Sequence, residues 1–366
     1  MAIEPAEAIE RDPGPADPLR VVVVGAGAVG SFLGGMLASS GAAVTLLLRR
    51  PRDAGDPGSL RLEEPEGARE VPVARVTDRA AVDGADLVIV AVKAFDLEEA
   101  LETAGRWPGA PVLTVQNGVG AEAVADAWIP FPTPLLAASL TTALEPVAGG
   151  VRRRRTGGIG IAVVRDDDEG RGASLRDRLA TAWTAAGLPA TVCPDADAMK
   201  WSKLLANLVG NATSAILDMD PGAIYADRRT YPIERRQLQE ALAVMRALGL
   251  RPVSLPGADV SMLLRGIALP DVLGRPLVAR GIAGARGGKS PSLRLDVRAG
   301  GGGPTEVRWL NGAVAAAAAS TGVPTPVNEA LAGLVEEVAA DPDRAAFFKG
   351  EPGRLADAIA AWSSGT

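Results

Sequence analysis

The hydrophobic pattern changes character once along the chain, near residue 195. Arg20 leads into Val21-Val22-Val23-Val24, an unbroken β-branched run of the kind buried on both faces of a parallel sheet. Residues 31–40 (SFLGGMLASS) then read as a helix closed by Gly41, and 43–48 as a second apolar strand. The alternation continues. Strands are predicted over 71–76, 87–92, 111–115, 135–140 and 189–193, with an antiparallel addition over 158–164 after an arginine-rich turn at 152–155. Helices are expected over 96–105, with Asp96 near the N-cap, and over 174–187. From Asp197 the pattern is helical, over 198–217, 234–248, 260–267, 305–321 and 327–340. Asp341-Pro342 breaks the last of these, and 283–304, rich in Gly and Pro, reads as a loop.

Between the first strand and the first helix stands Gly25-Ala26-Gly27-Ala28-Val29-Gly30. A strand before, a helix after and a second strand beyond turn this glycine pattern into a phosphate-binding signature. Gly25 makes the tight turn, Gly27 lacks the Cβ that would keep a pyrophosphate off the backbone, and Gly30 lets helix and strand pack closely. The free N–H groups and positive dipole end of the helix, with Ala26, Ala28 and Val29 in the same turn, complete the cradle. An NAD site ends its second strand in an acidic residue that takes the ribose 2′-hydroxyl. Here that end carries Arg49, Arg50 and Arg52, with Asp53 only afterwards. A carboxylate repels a 2′-phosphate, whereas a guanidinium grips it with two hydrogen bonds. The expected cofactor is therefore NADP(H), with Arg49 its contact and Arg52 an ordinary loop arginine.

These readings give an α/β fold: an N-terminal Rossmann-type dinucleotide-binding domain over 19–195 and a C-terminal all-helical domain over 196–366. Residues 1–18, acidic and proline-rich, read as a disordered leader and not as a targeting peptide. A length of 366 residues and 47% hydrophobic content suit two ordinary domains. Net charge is -6, with Arg152 to Arg155 the one basic cluster, so no nucleic-acid partner is expected. No apolar run reaches the length of a membrane span. The single cysteine, Cys193, fits a reducing cytoplasm.

Two absences narrow the chemistry further. The chain has no histidine, which removes His-ligated metals, Ser-His-Asp triads and His-dependent hydroxy-acid dehydrogenation, and no metal site is expected. Its two tyrosines, Tyr225 and Tyr231, are followed four residues on by Arg229 and Arg235, so neither forms a Tyr-x-x-x-Lys pair. A carbonyl reductase built from this chain would take its proton from a lysine or a carboxylic acid.

Ligands of open α/β sheets bind beyond the carboxyl ends of the strands. Lys93 and Asn117 sit at two such ends, where a surface lysine and a turn asparagine are the plainer alternatives. On the predicted helix 198–217, Lys203, Asn207 and Asn211 follow at i, i+4 and i+8 and form one stripe among Leu204, Leu205, Leu208 and Val209. A solvent-facing stripe is the commoner arrangement, but a wall facing a polar ligand would also satisfy these amides.

The sequence resembles the 2-dehydropantoate 2-reductases, or ketopantoate reductases, over most of residues 19–340. The matching pieces are the GAGAVG turn with Arg49, VKAFDLEEA at 92–100, QNGVG at 116–120, KWSKLLANLVGNATSAI at 200–216, and SLRLDV with TEVRWLNG within 292–312. The resemblance implies hydride transfer from NADPH to the keto carbon of 2-dehydropantoate, giving (R)-pantoate for pantothenate and coenzyme A synthesis. It makes Lys203 the proton donor and Asn207, Asn211 and Ser292 substrate-binding. It places Glu306 in support of the catalytic site, Asn117 near nicotinamide and substrate, and Lys93 on the cofactor side. Glu306, if it faced Lys203, would keep that amine protonated or orient it; after Thr305 it also suits a helix first turn.

The chain departs from the family on the substrate side. Residues 299–304 look like a short insertion, Lys289 precedes the serine motif, and Asp218-Met219-Asp220-Pro221-Gly222 replaces a stretch with a substrate asparagine. The expected partner is a small keto-acid substrate, with a homodimer possible through the helical domain. Two alternatives stand: a related reductase of another keto acid, ketone or imine in specialised metabolism, and a non-catalytic NADP(H) sensor.

Overall fold

The computed structural model describes residues 17–49, 58–285, 290–298 and 303–365. The leader through residue 16, Arg50, Arg52, Asp53, Lys289 and the 299–302 part of the insertion lie outside the described residues.

Among the described residues, twelve strands form two sheets. They are β1 (Arg20–Val24), β2 (Ala43–Leu47), β3 (Ser59–Glu64), β4 (Gly67–Pro72), β5 (Ala74–Val76), β6 (Leu87–Val90), β7 (Val112–Thr114), β8 (Leu135–Leu140), β9 (Ala143–Val147), β10 (Gly150–Arg155), β11 (Ile159–Arg165) and β12 (Ala190–Val192). The main sheet has the order β12-β11-β8-β7-β6-β1-β2-β5. It is parallel except where β11 runs antiparallel to β8, as the 158–164 pattern predicted. Both faces are buried. Val21 and Val23 join one core cluster, with Leu87 and Ile89, while Val22 and Val24 join another, with Val88 and Val90. The two-residue period of the strand sends alternate valines to opposite layers.

The helices of this half are α1 (Ala28–Ser39), α2 (Leu97–Ala104), α3 (Ala121–Trp128) and α4 (Arg171–Ala185). After Val192 come α5 (Ala196–Leu208), α6 (Ala212–Leu217), α7 (Pro221–Ala226), α8 (Tyr231–Ala247), α9 (Ser261–Ala268), α10 (Asp271–Ala285), α11 (Ser292–Arg298), α12 (Asn311–Thr321), α13 (Pro326–Ala340), α14 (Pro342–Phe348) and α15 (Pro352–Gly365). Among the described residues beyond Val192, the one β-bridge is Leu255 with Ala258. The chain is thus a mixed α/β protein with an N-terminal Rossmann-like sheet and a helical C-terminal region.

The structure corrects several local readings. The second sheet, β4-β3-β10-β9, was not foreseen as such. The expected strand over 71–76 divides at Val73 between β4 and β5, and the arginine-rich segment is β10, not a turn. Val151 and Arg153 point inward while Arg154 is exposed, and Arg153 is buried beside Glu64 at 2.6 Å. A charged strand with a paired inward arginine hides its period of two. Secondly, the expected helix over 198–217 is two helices. Gly210, at φ 56°, turns the chain between α5 and α6, and an added Cβ there would lie 2.9 Å from Pro221 Cβ. Buried Glu234 accepts from the Gly210 amide at 2.8 Å and the Thr213 hydroxyl at 2.5 Å, which satisfies the broken ends. Thirdly, the supposed loop over 283–304 contains α11.

Candidate active site

A cleft of about 1920 Å³ runs between the carboxyl ends of the main sheet and the C-terminal helices. Its sheet-side wall includes Gly25, Ala26, Gly27, Ala28, Val29, Arg49, Lys93 and Asn117. Its helical wall includes Lys203, Asn207, Asn211, Ser292 and Glu306. Every predicted site residue except Gly30 therefore lines one cavity.

The glycine turn is built as its spacing requires. Gly25 has φ 99°, and a Cβ on it would meet Val92 Cγ1 at 2.7 Å. Gly30 lies beneath the surface, where an added Cβ would sit 2.1 Å from the Gly25 carbonyl oxygen. Gly27 is different: it precedes the first turn of α1, and a Cβ there would find no atom within 4 Å. That open approach at a helix N-terminus of twelve residues fits the phosphates of a dinucleotide. Arg49 follows β2, exposed, with its guanidinium 2.9 Å from Glu99 and 3.3 Å from Asp96.

At the middle of the cleft, the Lys93 ammonium donates to Glu306 at 2.6 Å and lies 3.4 Å from Asp296. Burial pushes the Lys93 amine down, but the carboxylates of Glu306 and Asp296 outweigh it and raise it above an ordinary lysine. The structure pairs Glu306 with Lys93. Thr305 caps the short turn Glu306–Trp309 through the Val307 amide. That turn meets the QNGVG segment so closely that a Cβ on Gly118, at φ 83°, would fall 2.0 Å from the Trp309 carbonyl oxygen.

Lys203 and Asn207 share the half-buried stripe of α5, whose other side packs Trp201, Leu204, Leu205 and Leu208 into the helical core. Asp195 caps this helix by accepting from the Ala198 amide at 2.9 Å. Asn207 donates to the Asn117 side chain at 3.4 Å, so the two walls touch here. Asn211 does not continue the α5 stripe, because the Gly210 turn intervenes; it starts α6 instead. It still faces the cleft, donating to Ser292 Oγ at 3.4 Å and accepting from the Leu293 amide at 3.1 Å.

Two residues escaped the sequence reading. Asp296 stands one turn after Ser292, so the pair would have been visible had 292–298 been read as a helix. The sequence makes Gln116 a strand end, yet its side chain donates to the Val90 and Val92 carbonyls at 2.9 and 3.2 Å. Residues 218–222, singled out as a changed substrate segment, do not appear in the cleft wall. Asp218 and Asp220 instead accept from buried Arg294 at 3.0 and 2.7 Å and so anchor α11.

Comparison with known proteins agrees with this arrangement. Residues 21–165 match the family model Ketopantoate reductase PanE/ApbA, and 195–339 match Ketopantoate reductase PanE/ApbA C terminal. A 2-dehydropantoate 2-reductase of Halobacterium salinarum is 35% identical over 325 residues, 87% of this chain and 98% of that one. The crystal structure of a PanE/ApbA family ketopantoate reductase from Ralstonia eutropha superposes with a TM-score of 0.71 at 29% identity, covering 88% of this chain and 98% of the other. D-mandelate dehydrogenase, solved with NADH and anilino(oxo)acetate, shares the fold with a TM-score of 0.68 at 20% identity, over 88% and 98% of the two chains. With both family models matched in order along most of its length, this chain belongs to the ketopantoate reductase family of dinucleotide-dependent oxidoreductases.

Proposed function

We propose that this protein uses NADPH to reduce 2-dehydropantoate to (R)-pantoate, in the cytoplasm and as a step towards pantothenate and coenzyme A. The observation that carries this reading is the convergence of Lys203, Asn207, Asn211 and Ser292 on the cleft that the glycine turn opens. We divide the labour near residue 195, with dinucleotide binding before it and substrate handling after it. The Gly25–Gly30 turn and Arg49 hold the dinucleotide, and Lys93 and Asn117 border its nicotinamide end. When bound, the reduced nicotinamide supplies a hydride to the keto carbon. Asn207, Asn211 and Ser292 bind the substrate's carboxylate and hydroxyl without adding charge. Lys203 stabilises the developing alkoxide and gives it a proton. Glu306 holds Lys93 as an ammonium beside the reacting centre.

The test is steady-state oxidation of NADPH with 2-dehydropantoate against a panel of other 2-oxo acids. Turnover selective for 2-dehydropantoate is expected. A related reductase of another 2-oxo acid is the second reading, favoured by one observation: the segment at 218–222 holds Arg294 and forms no part of the cleft wall. Turnover of a different panel member, with 2-dehydropantoate inert, would select it.

Arg49 sets the cofactor preference. Arg49→Glu is expected to raise the dissociation constant of NADPH about 100-fold, roughly 2.7 kcal/mol, by replacing charge-assisted hydrogen bonds with repulsion. NADH should change only a few-fold. Fluorescence titration of the nicotinamide measures both, and equal losses would remove Arg49 from the 2′-phosphate site.

A further inference from the structure

Behind the cleft lies an ion pair that the proposed chemistry does not use. Lys200 is only 2% exposed and Glu122 only 7%, and their charged atoms are 2.9 Å apart. The Lys200 ammonium also donates to the Gln116 backbone carbonyl at 2.6 Å. Glu122 Oε1 accepts in addition from the Thr114 hydroxyl at 2.9 Å. Through the Gln116 side chain the network reaches the Val90 and Val92 carbonyls, immediately before Lys93. Lys200 thus sits one turn before Lys203 on α5 and is bonded to the residue immediately before Asn117.

We infer that the buried Lys200–Glu122 pair is a positioning device: it fixes the helix carrying Lys203 and Asn207 against the turn carrying Asn117. The inference rests on Lys203 being the proton donor of the proposed reaction. Stability alone does not account for the pair, because apolar side chains of similar volume hold such elements together as well or better. The ammonium joins the Gln116 carbonyl to the Glu122 carboxylate, and so ties α5 to the chain just after β7 and to α3. The 3.4 Å contact between Asn207 and Asn117 is the consequence on the cleft side. Misplacing a catalytic group by about 1 Å can lower a rate on the order of 100-fold.

The test separates positioning from stability. Lys200→Met alone would leave Glu122 buried and unpaired, so the informative variant is Lys200→Met with Glu122→Leu. It is expected to melt at or above the wild-type temperature and to bind NADPH within about twofold, while kcat on 2-dehydropantoate falls about 30-fold. Amide hydrogen exchange at 116–120 should quicken. Lys200→Arg, which keeps a donor to both partners, should retain most of the rate. A double variant with kcat within about threefold of wild type overturns the inference, since a merely structural pair would behave so. If the double variant does not fold, Glu122→Gln decides: a rate loss at unchanged melting temperature supports the inference, and a wild-type rate overturns it. If the wild type turns over no 2-oxo acid, the functional proposal falls, and unchanged exchange at 116–120 in the double variant then overturns the positioning role separately.

Discussion

Replacing Lys203 by methionine is expected to lower kcat by about three orders of magnitude while leaving NADPH binding within about twofold. Loss of a placed general acid costs about 10²- to 10⁴-fold, and loss of a charge aimed at a developing oxyanion costs about 2.7–4 kcal/mol. Methionine keeps the length and much of the volume of lysine, so α5 keeps its packing while the ammonium is gone. Among the described residues, two lysines line the cleft, and the surroundings of Lys93 bear on the choice between them. Lys93 works against burial, but the carboxylates of Glu306 and Asp296 hold its amine above the usual lysine range. A raised amine is a poorer acid at neutral pH, which supports the proposal that Lys93 is a fixed charge and Lys203 the donor. The linkage has a definite sign. The stability that Lys93 draws from its ion pairs is fully present below the unfolded lysine value of about 10.4 and is lost only as pH rises through the higher folded value. An alkaline fall in rate at lower pH therefore does not belong to Lys93, and Lys93→Arg should leave that limb in place. Single-turnover measurements of NADPH oxidation provide the check. A Lys203→Met enzyme with wild-type turnover would end the assignment, whatever the substrate.

The sheet and its glycine turn were legible because they are local. Val21 to Val24, the turn after them and the helix beyond follow one another without interruption, and each obeys a short-range rule. The polar groups of the cleft were legible as residue types but not always as geometry. The sequence offered Lys203, Asn207 and Asn211 as one stripe. The structure keeps all three in the cleft but delivers Asn211 from the start of a second helix. What decides that break is Gly210 at positive φ together with Glu234, twenty-four residues away, accepting its amide. The partner of Glu306 was unreadable for the same reason: Lys93 lies 213 positions earlier. Only packing of the Glu306–Trp309 turn against the QNGVG segment brings the two together. The buried arginine of β10 shows the converse problem. Arg153 finds Glu64 and the Gly187 carbonyl inside the protein, so a residue type that usually signals surface occupies a buried strand position.

Two glycines three residues apart, Gly27 and Gly30, should fail in opposite ways, and the contrast tests the cradle without presupposing a substrate. Gly30→Ala places a methyl group 2.1 Å from the Gly25 carbonyl oxygen and 2.9 Å from Val23 Cγ1. The obstacle is backbone at the tightest point of the turn and a valine of the central strand, neither of which can swing aside. A destabilisation of about 3 kcal/mol or more is expected, as for severe overpacking of a core, with loss of dinucleotide binding as a consequence. Gly27→Val adds a Cβ that meets no atom of the protein within 4 Å. Its φ of -75° and ψ of -169° suit any residue, so the folded state bears no backbone strain. The added branch occupies the space through which a pyrophosphate would approach the first turn of α1. The melting temperature should therefore stay near wild type while NADPH binding weakens about 100-fold or more, roughly 2.7 kcal/mol. Differential scanning calorimetry with and without NADPH separates the two effects, because a ligand that binds the folded state raises its melting temperature only if it still binds. An NADPH-dependent rise as large in Gly27→Val as in wild type would mean that the phosphates do not pass over Gly27, and the dinucleotide would have to lie elsewhere in the cleft.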